Sequence, residues 1–283
     1  MARPRNVPLC FVLALGCEAK PLLGEFGFAA AGGAGGMPVY HNGCDWLVVA
    51  GVGKVAAAAA TGFLAAKAGA SDCVWLNVGI AGSGELAVGS CAAAHRVQDA
   101  DSGESWYPTF VSSVSVPTLS LTTCSAPQTD YSRPGMFDME ASGFVPAALR
   151  FSTGEWVHVF KVISDNDADD ARAISAKGVA ALIAAGLPAL RQWSEQLRQA
   201  KGDLRDHDAD KRAGWLDRID SRWRLTVYQR HRLERLLRAW AGRDRAGEPP
   251  WEHLEGIGDP QALLDRLETE LTRLPVQLGK PAS

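Results

Sequence analysis

Phe137-Asp-Met-Glu-Ala-Ser-Gly-Phe144 and, further on, Val157-His-Val-Phe-Lys-Val-Ile-Ser-Asp165 are the stretches whose reading decides the fold. The first opens a helix of small and apolar residues directly behind a Met-Glu pair, Met139 and Glu140. The second has the apolar, β-branched run of a buried strand and ends on Ser164 and Asp165. Open α/β sheets bind ligands beyond the carboxyl ends of their strands. A strand that delivers Asp165 there, beside a helix that presents Glu140, makes a two-carboxylate site. Pattern alone leaves a second reading open, with Glu140 in solvent and Asp165 capping the next helix.

Upstream of these stretches, strand and helix patterns alternate. Residues 8–15 read as a buried strand and Cys17 to Leu23 as a turn and the start of a helix. Residues 29–36, all Ala and Gly, read as a flexible connector, because a phosphate loop would need a Gly-Lys-Ser/Thr ending. Val39–Asn42 and Trp46–Ala50 suggest a strand pair, and Gly51-Val-Gly-Lys-Val55 leads into an alanine-rich helix over 56–68. Val74–Val78 is the next strand and runs out into the small-residue loop Gly79-Ile-Ala-Gly-Ser-Gly84. Such a loop exposes backbone N–H groups to a ligand. Further strands are expected over 87–97 and 114–122, with a turn-rich loop at 125–135. Beyond Asp165 the acidic run Asn166–Asp170 suits the start of a helix expected over 171–185.

Composition sets the outer limits. The 283 residues are 47% apolar and 22% charged with net charge −3, an ordinary globular balance that calls for no polyanionic partner. Residues 1–186 carry 11 Lys/Arg and 16 Asp/Glu, whereas the shorter stretch 187–283 carries 18 and 16. That shift marks a change in structure near Gly186, so 1–186 is expected as one α/β domain and 187–283 as a helical extension. The six cysteines form no CxxC pair and no grouping with histidine, which argues against a metal site and against a disulfide framework. The short apolar run after Arg3 and Arg5 reads as a first strand rather than a signal peptide. No run approaches the ~18 apolar residues of a membrane span. A cytoplasmic protein with reduced thiols and no membrane is expected.

Four blocks, in order, resemble a known family. They are Ala14-Leu-Gly-Cys-Glu18, Gly51-Val-Gly-Lys-Val-Ala-Ala57, Asn77-Val-Gly-Ile-Ala-Gly82, and Asp138-Met-Glu-Ala141 with Ile163-Ser-Asp165. Across residues 7–186 the chain resembles the nucleoside phosphorylase/nucleosidase superfamily, of purine nucleoside phosphorylase and uridine phosphorylase type. Its nearest branch is the one containing methylthioadenosine/S-adenosylhomocysteine nucleosidase.

The resemblance implies a three-layer αβα sandwich around a central mixed sheet, cleavage of an N-ribosidic bond, and no cofactor. It implies Asp165 as the general acid that protonates the leaving purine, a role that burial at a strand end would serve. Glu18 matches the carboxylate that activates water, Glu140 the residue that holds the ribose hydroxyls, and Met139 the packing under the sugar. Phe137 matches a position touching the base, Ala81 and Gly82 line the pocket through their backbone, and Ser164 stands beside the acid. Phosphorylases of this superfamily place an arginine where Asn77 stands here, so water is favoured over phosphate as nucleophile. A phosphorylase with another phosphate site, and a non-catalytic nucleoside sensor, remain as alternatives. Family members complete their pockets across subunits, which implies a homodimer or larger homo-oligomer around a small-molecule nucleoside.

Residues 187–283 lie outside the resemblance. The spacing of Leu190, Trp193 and Leu197 predicts an amphipathic helix, and 201–212 reads as a solvated loop. Helices follow over 222–240 and from Asp259-Pro260, the latter with Leu263, Leu264, Leu267, Leu271 and Leu274 on one face. Eight arginines interleave with Trp223, Tyr228, His231 and Trp240 between Arg222 and Arg245. That mixture suits nucleic acid, but arginine-rich amphipathic helices commonly bury their stems and pair with neighbouring carboxylates. A helical cap or a subunit interface is therefore expected, and nucleic acid is not.

Overall fold

The alternation along β1 (Leu9–Leu13) sets out the layers. Leu9, Phe11 and Leu13 enter one core and Cys10 and Val12 the other, and all five are fully buried. A strand buried on both faces belongs at the centre of a sheet covered by helices on both sides. The structure, a computed structural model, describes residues 7–34, 36–69, 73–166, 174–243, 249, 251–254 and 256–273. The chain divides into two compact units, Met1–Gly202 and Asp203–Ser283.

In the first unit α1 (Gly16–Glu25) follows β1, and β2 (Ala29–Ala34), β3 (Met37–His41) and β4 (Trp46–Val49) come next. They are followed by α2 (Lys54–Ala68), β5 (Val74–Ser83), β6 (Cys91–Asp99), β7 (Ser105–Trp106), β8 (Thr118–Thr123) and β9 (Met136–Asp138). Then come α3 (Ala141–Ala148), β10 (Val157–Asp165) and α4 (Ala176–Asp220). β1 pairs in parallel with both β4 and β5, and β5 pairs in parallel with β10. β10 then pairs with β6, β6 with β8, β8 with β9, and β9 returns to β5. The mixed sheet therefore closes on itself at this side, and the ends of β5, β9 and β10 stand together. Helices α2 and α3 cover one face through Ala57, Ala60 and Leu64 and through Phe144 and Val145. Helix α1 and the first part of α4 cover the other, through Leu22 and through Ile183, Leu190, Trp193 and Leu197. This is the expected three-layer αβα arrangement.

Two segments differ from their sequence reading. Of the connector expected over 29–36, residues 29–34 form β2, paired antiparallel with β3 from Ala29↔His41 onward. An edge strand needs only main-chain partners, and the register shift between Ala30 and Gly33 absorbs the glycine at 32. Residues 201–212 continue α4 rather than forming a loop. Their Lys, Leu, Arg and Ala residues favour helix, and polarity alone does not separate a solvent-facing helix from a loop. Residues 167–173, which include most of the acidic run and the expected start of its helix, lie outside the described residues.

The second unit holds the end of α4 with α5 (Val227–Arg243), α6 (Trp251–Leu254) and α7 (Pro260–Arg273). Its core joins Trp215, Trp223, Trp240 and Trp251 to the leucine stripe Leu263, Leu264, Leu267 and Leu271. Asp259 caps α7 by accepting the Ala262 N–H at 2.9 Å. Several of this unit's arginines are engaged within it. Arg232 meets Asp265 and Glu268, Arg230 meets Asp220 and Glu234, and the Arg218 guanidinium lies 4.7 Å from the centre of the Trp251 ring. Among the described residues no helix is long and apolar enough to cross a membrane.

Candidate active site

The carboxyl ends of β1, β5 and β10 open into a cavity of about 210 Å³. Glu18, Ala81, Gly82, Phe137, Met139, Glu140, Ser164 and Asp165, the residues singled out in the sequence, all line it. They arrive from four directions: the first turn of α1, the end of β5, the β9–α3 junction and the end of β10.

Glu18 is buried, at 2% exposure, and its carboxylate is met by the backbone. Oε2 accepts the N–H groups of Ala14 (3.1 Å) and Leu15 (2.9 Å), and Oε1 accepts that of Ile80 (3.0 Å). Burial raises its pKa above the ordinary glutamate value, and these N–H donors together with nearby Lys161 offset part of the rise. Such a carboxylate is held in one orientation and takes up a proton more readily than a solvated one.

Glu140 is the N-cap of α3 and faces the same cavity. Its Oε1 accepts the Gly53 N–H at 2.9 Å. Gly53 has φ of 104°, a conformation that L side chains rarely adopt, and so a glycine is required to aim that N–H at the carboxylate. Burial raises the Glu140 pKa, the Lys161 charge works against it, and the neighbouring Asp138 reinforces it.

Lys161 sits behind both glutamates. It is wholly buried on β10, and its Nζ lies 2.9 Å from Asp138 Oδ2. Burial pushes its ammonium toward deprotonation, but Asp138, Glu140 and Glu18 more than reverse this and leave the pKa raised. Asp138 in turn accepts the Thr123 hydroxyl at 2.7 Å and the Ala141 N–H at 2.9 Å, which fixes the entry to α3.

Asp165 is also buried, at 4% exposure. The pairing of β10 with β5 slips between Ile163 and Asp165, which lie opposite Ala81 and Gly82. In a regular strand successive side chains point to opposite faces. The bulge is what lets both Ser164 and Asp165 face the cavity. Ser164 Oγ donates to Asp165 Oδ1, and the Tyr131 hydroxyl meets Asp165 Oδ2. The Tyr131 ring lies on Gly82, where a β-carbon would come within 2.5 Å of the ring carbons.

Lys161, Asp138 and Tyr131 were not singled out from the sequence as site residues. A lysine in the middle of an otherwise apolar strand was the available signal for Lys161, since a buried charge requires a partner. For Tyr131 the available signal is that it is the one aromatic of the turn-rich loop at 125–135. Lys54, a second cation near this region, is engaged by Asp99 at 2.8 Å and by Asp101. Lys54 and the Ser142 hydroxyl hold the Asp99 carboxyl well below the usual carboxylate range. No arginine or lysine among the described residues lines the cavity. Among the described residues no three His, Cys, Asp or Glu side chains group as a metal site would require.

No protein-family model matches the chain, and no curated protein matches it by sequence at a significant level. Solved structures do match. The chain is similar to the 5′-methylthioadenosine nucleosidase of Arabidopsis thaliana in its apo form, with a TM-score of 0.57 at 17% identity. That match covers 68% of this chain and 96% of the plant enzyme. It is also similar to the 5′-methylthioadenosine/S-adenosylhomocysteine nucleosidase of Colwellia psychrerythraea in complex with adenine, with a TM-score of 0.54 at 17% identity over 70% of this chain and 96% of that one. The Helicobacter pylori nucleosidase with butyl-thio-DADMe-Immucillin-A matches with a TM-score of 0.54 at 16% identity over 68% of this chain and 99% of that one. At such identities the likeness is one of fold: this chain has the α/β fold of the methylthioadenosine/S-adenosylhomocysteine nucleosidases, the fold that its four sequence blocks imply.

Proposed function

We propose that this chain is a nucleosidase that hydrolyses the N-ribosidic bond of a purine nucleoside of the methylthioadenosine or S-adenosylhomocysteine kind. The observation that carries the reading is the meeting of Glu18, Glu140 and Asp165 in one cavity at the strand ends. The solved structures of the same fold supply its context, since their names are those of nucleosidases and they include one with adenine and one with butyl-thio-DADMe-Immucillin-A.

Three jobs divide among the three carboxyl groups. Asp165 gives its proton to the purine as the bond from C1′ to the base nitrogen breaks and that electron pair leaves with the base. Glu140 accepts hydrogen bonds from the ribose hydroxyls, and Met139 packs beneath the ring. Glu18 takes a proton from the water that attacks C1′, so the products are the free base and the free sugar. The raised pKa of Glu18 suits that step, because a more basic carboxylate is a better proton acceptor. Water rather than phosphate is taken as the nucleophile: among the described residues no arginine or lysine lines the cavity, and Lys54 and Lys161 are held by Asp99, Asp101 and Asp138. The protein works in the cytoplasm as a homodimer or larger homo-oligomer.

A base-release assay tests this on methylthioadenosine, S-adenosylhomocysteine, adenosine, inosine and guanosine, with and without phosphate. Release that needs no phosphate and is abolished in Asp165→Asn supports the reading. Release only with phosphate makes the protein a phosphorylase and removes the role of Glu18. Tight nucleoside binding without release makes it a sensor.

A further inference from the structure

The Tyr131 hydroxyl stands where three elements of the candidate site converge. Its ring is buried, tilted against Phe137 with centroids 5.7 Å apart, and seated on the backbone of Gly82. Its oxygen lies 2.8 Å from the Gln128 carbonyl oxygen and also meets Asp165 Oδ2. Proton counting restricts this arrangement. A phenol carries one hydrogen, and a backbone carbonyl can only accept. The phenolic hydrogen is therefore shared between two acceptors, the Gln128 carbonyl and the Asp165 side-chain oxygen. The contact occupies Asp165 Oδ2, the atom that a base would have to reach. Phe137 and Gly82 line the cavity on the same side.

We propose that Tyr131 is a resident occupant of the base subsite, a built-in stand-in that a heteroaromatic base must displace from Asp165 to bind. This rests on the nucleosidase reading, because it takes Asp165 as the group that meets the base. Displacement costs the bonds Tyr131 makes to Asp165 and Gln128, so Tyr131 sets which bases bind well enough to enter. It is an affinity-limiting residue that acts by occupancy. Only the fraction of molecules with Tyr131 displaced is competent, and apparent affinity is reduced by that fraction.

Calorimetric titration of adenine, hypoxanthine, guanine and uracil into the full chain tests this, with Tyr131→Phe, Tyr131→Ala and Asp165→Asn alongside. Tyr131→Phe keeps the ring and loses the oxygen that holds the plug in place. It is expected to bind the preferred base about tenfold more tightly, the equivalent of one lost hydrogen bond. Tyr131→Ala empties the subsite and is expected to gain at least as much and to widen the range of bases bound. Equal or weaker binding in both tyrosine variants, with Asp165→Asn still weakening every base, overturns the plug and leaves the nucleosidase reading standing. No binding of any base by the wild-type chain or either tyrosine variant overturns both.

Discussion

Lys161 Nζ lies 2.9 Å from Asp138 Oδ2, with the two side chains at 1% and 0% exposure. The pair joins β10 to the β9–α3 junction, the two elements that carry Asp165 and Glu140. Removing one partner of a buried pair strands the other charge, whereas removing both does not. Lys161→Met is therefore expected to lose about 3–5 kcal/mol of unfolding free energy. Adding Asp138→Asn to it is expected to recover part of that loss. Urea unfolding of the single and double variants measures both. A loss under about 1 kcal/mol in Lys161→Met would show that Asp138 finds another partner, and the pair would not be the anchor described here.

Glu18 gives the acid side of the pH profile. Its pKa is raised by burial, and only its ionised form accepts a proton from water. The ionised fraction grows with pH, so kcat/KM is expected to rise with pH through a midpoint above the ordinary glutamate value. Glu18→Gln is expected to lower kcat by about 10²–10⁴-fold, the usual worth of a positioned base, and to erase that limb. A limb that persists in the glutamine variant belongs to another group.

Glu140, aimed by the Gly53 N–H, is expected to read the sugar. A hydrogen bond to a charged group contributes about 1.5–3 kcal/mol, so a 3′-deoxynucleoside should bind about 10- to 100-fold more weakly than its parent. In Glu140→Ala that discrimination should shrink to nearly none. The comparison is a double-mutant cycle with one of the changes made in the ligand. Undiminished discrimination in the variant would move the ribose contact to another residue.

Much of this site was legible in the sequence because its parts are local. A buried strand that ends in Ser164-Asp165 and a Met-Glu pair at a helix start each sit within a few residues, and strand-end placement follows from the α/β alternation. What could not be read were relations between distant segments. The Tyr131 contact with Asp165 depends on the path of the loop between β8 and β9, and no local periodicity encodes that path. The bulge at Ser164 depends on how β10 registers against β5. The polar stretch 201–212 reads as a loop because helix and loop share that composition, and only the continuation of α4 decides between them.

His158 gives a stability prediction independent of any ligand. It is fully buried on β10, stacked on Phe110 at 13° between ring planes and tilted against Trp193. Its Nε2 lies 2.9 Å from the Glu155 carbonyl oxygen and so carries the hydrogen, while Nδ1 is buried with no partner. Burial holds its pKa at about 4, below the ordinary 6.5. Between those values the unfolded chain binds a proton that the folded one refuses, so unfolding gains as pH falls. The stability held by the neutral histidine is complete above about pH 6.5 and is lost progressively toward pH 4, roughly 3 kcal/mol across the window. Glu18 and Glu140, whose pKa values are raised, work in the opposite sense, and so the difference between variants isolates the histidine. Urea unfolding from pH 7 down to 4.5 is expected to show a shallower decline in His158→Phe than in the wild type, with the two curves converging or crossing as pH falls. Parallel curves would mean that the folded protein accommodates the charged imidazole.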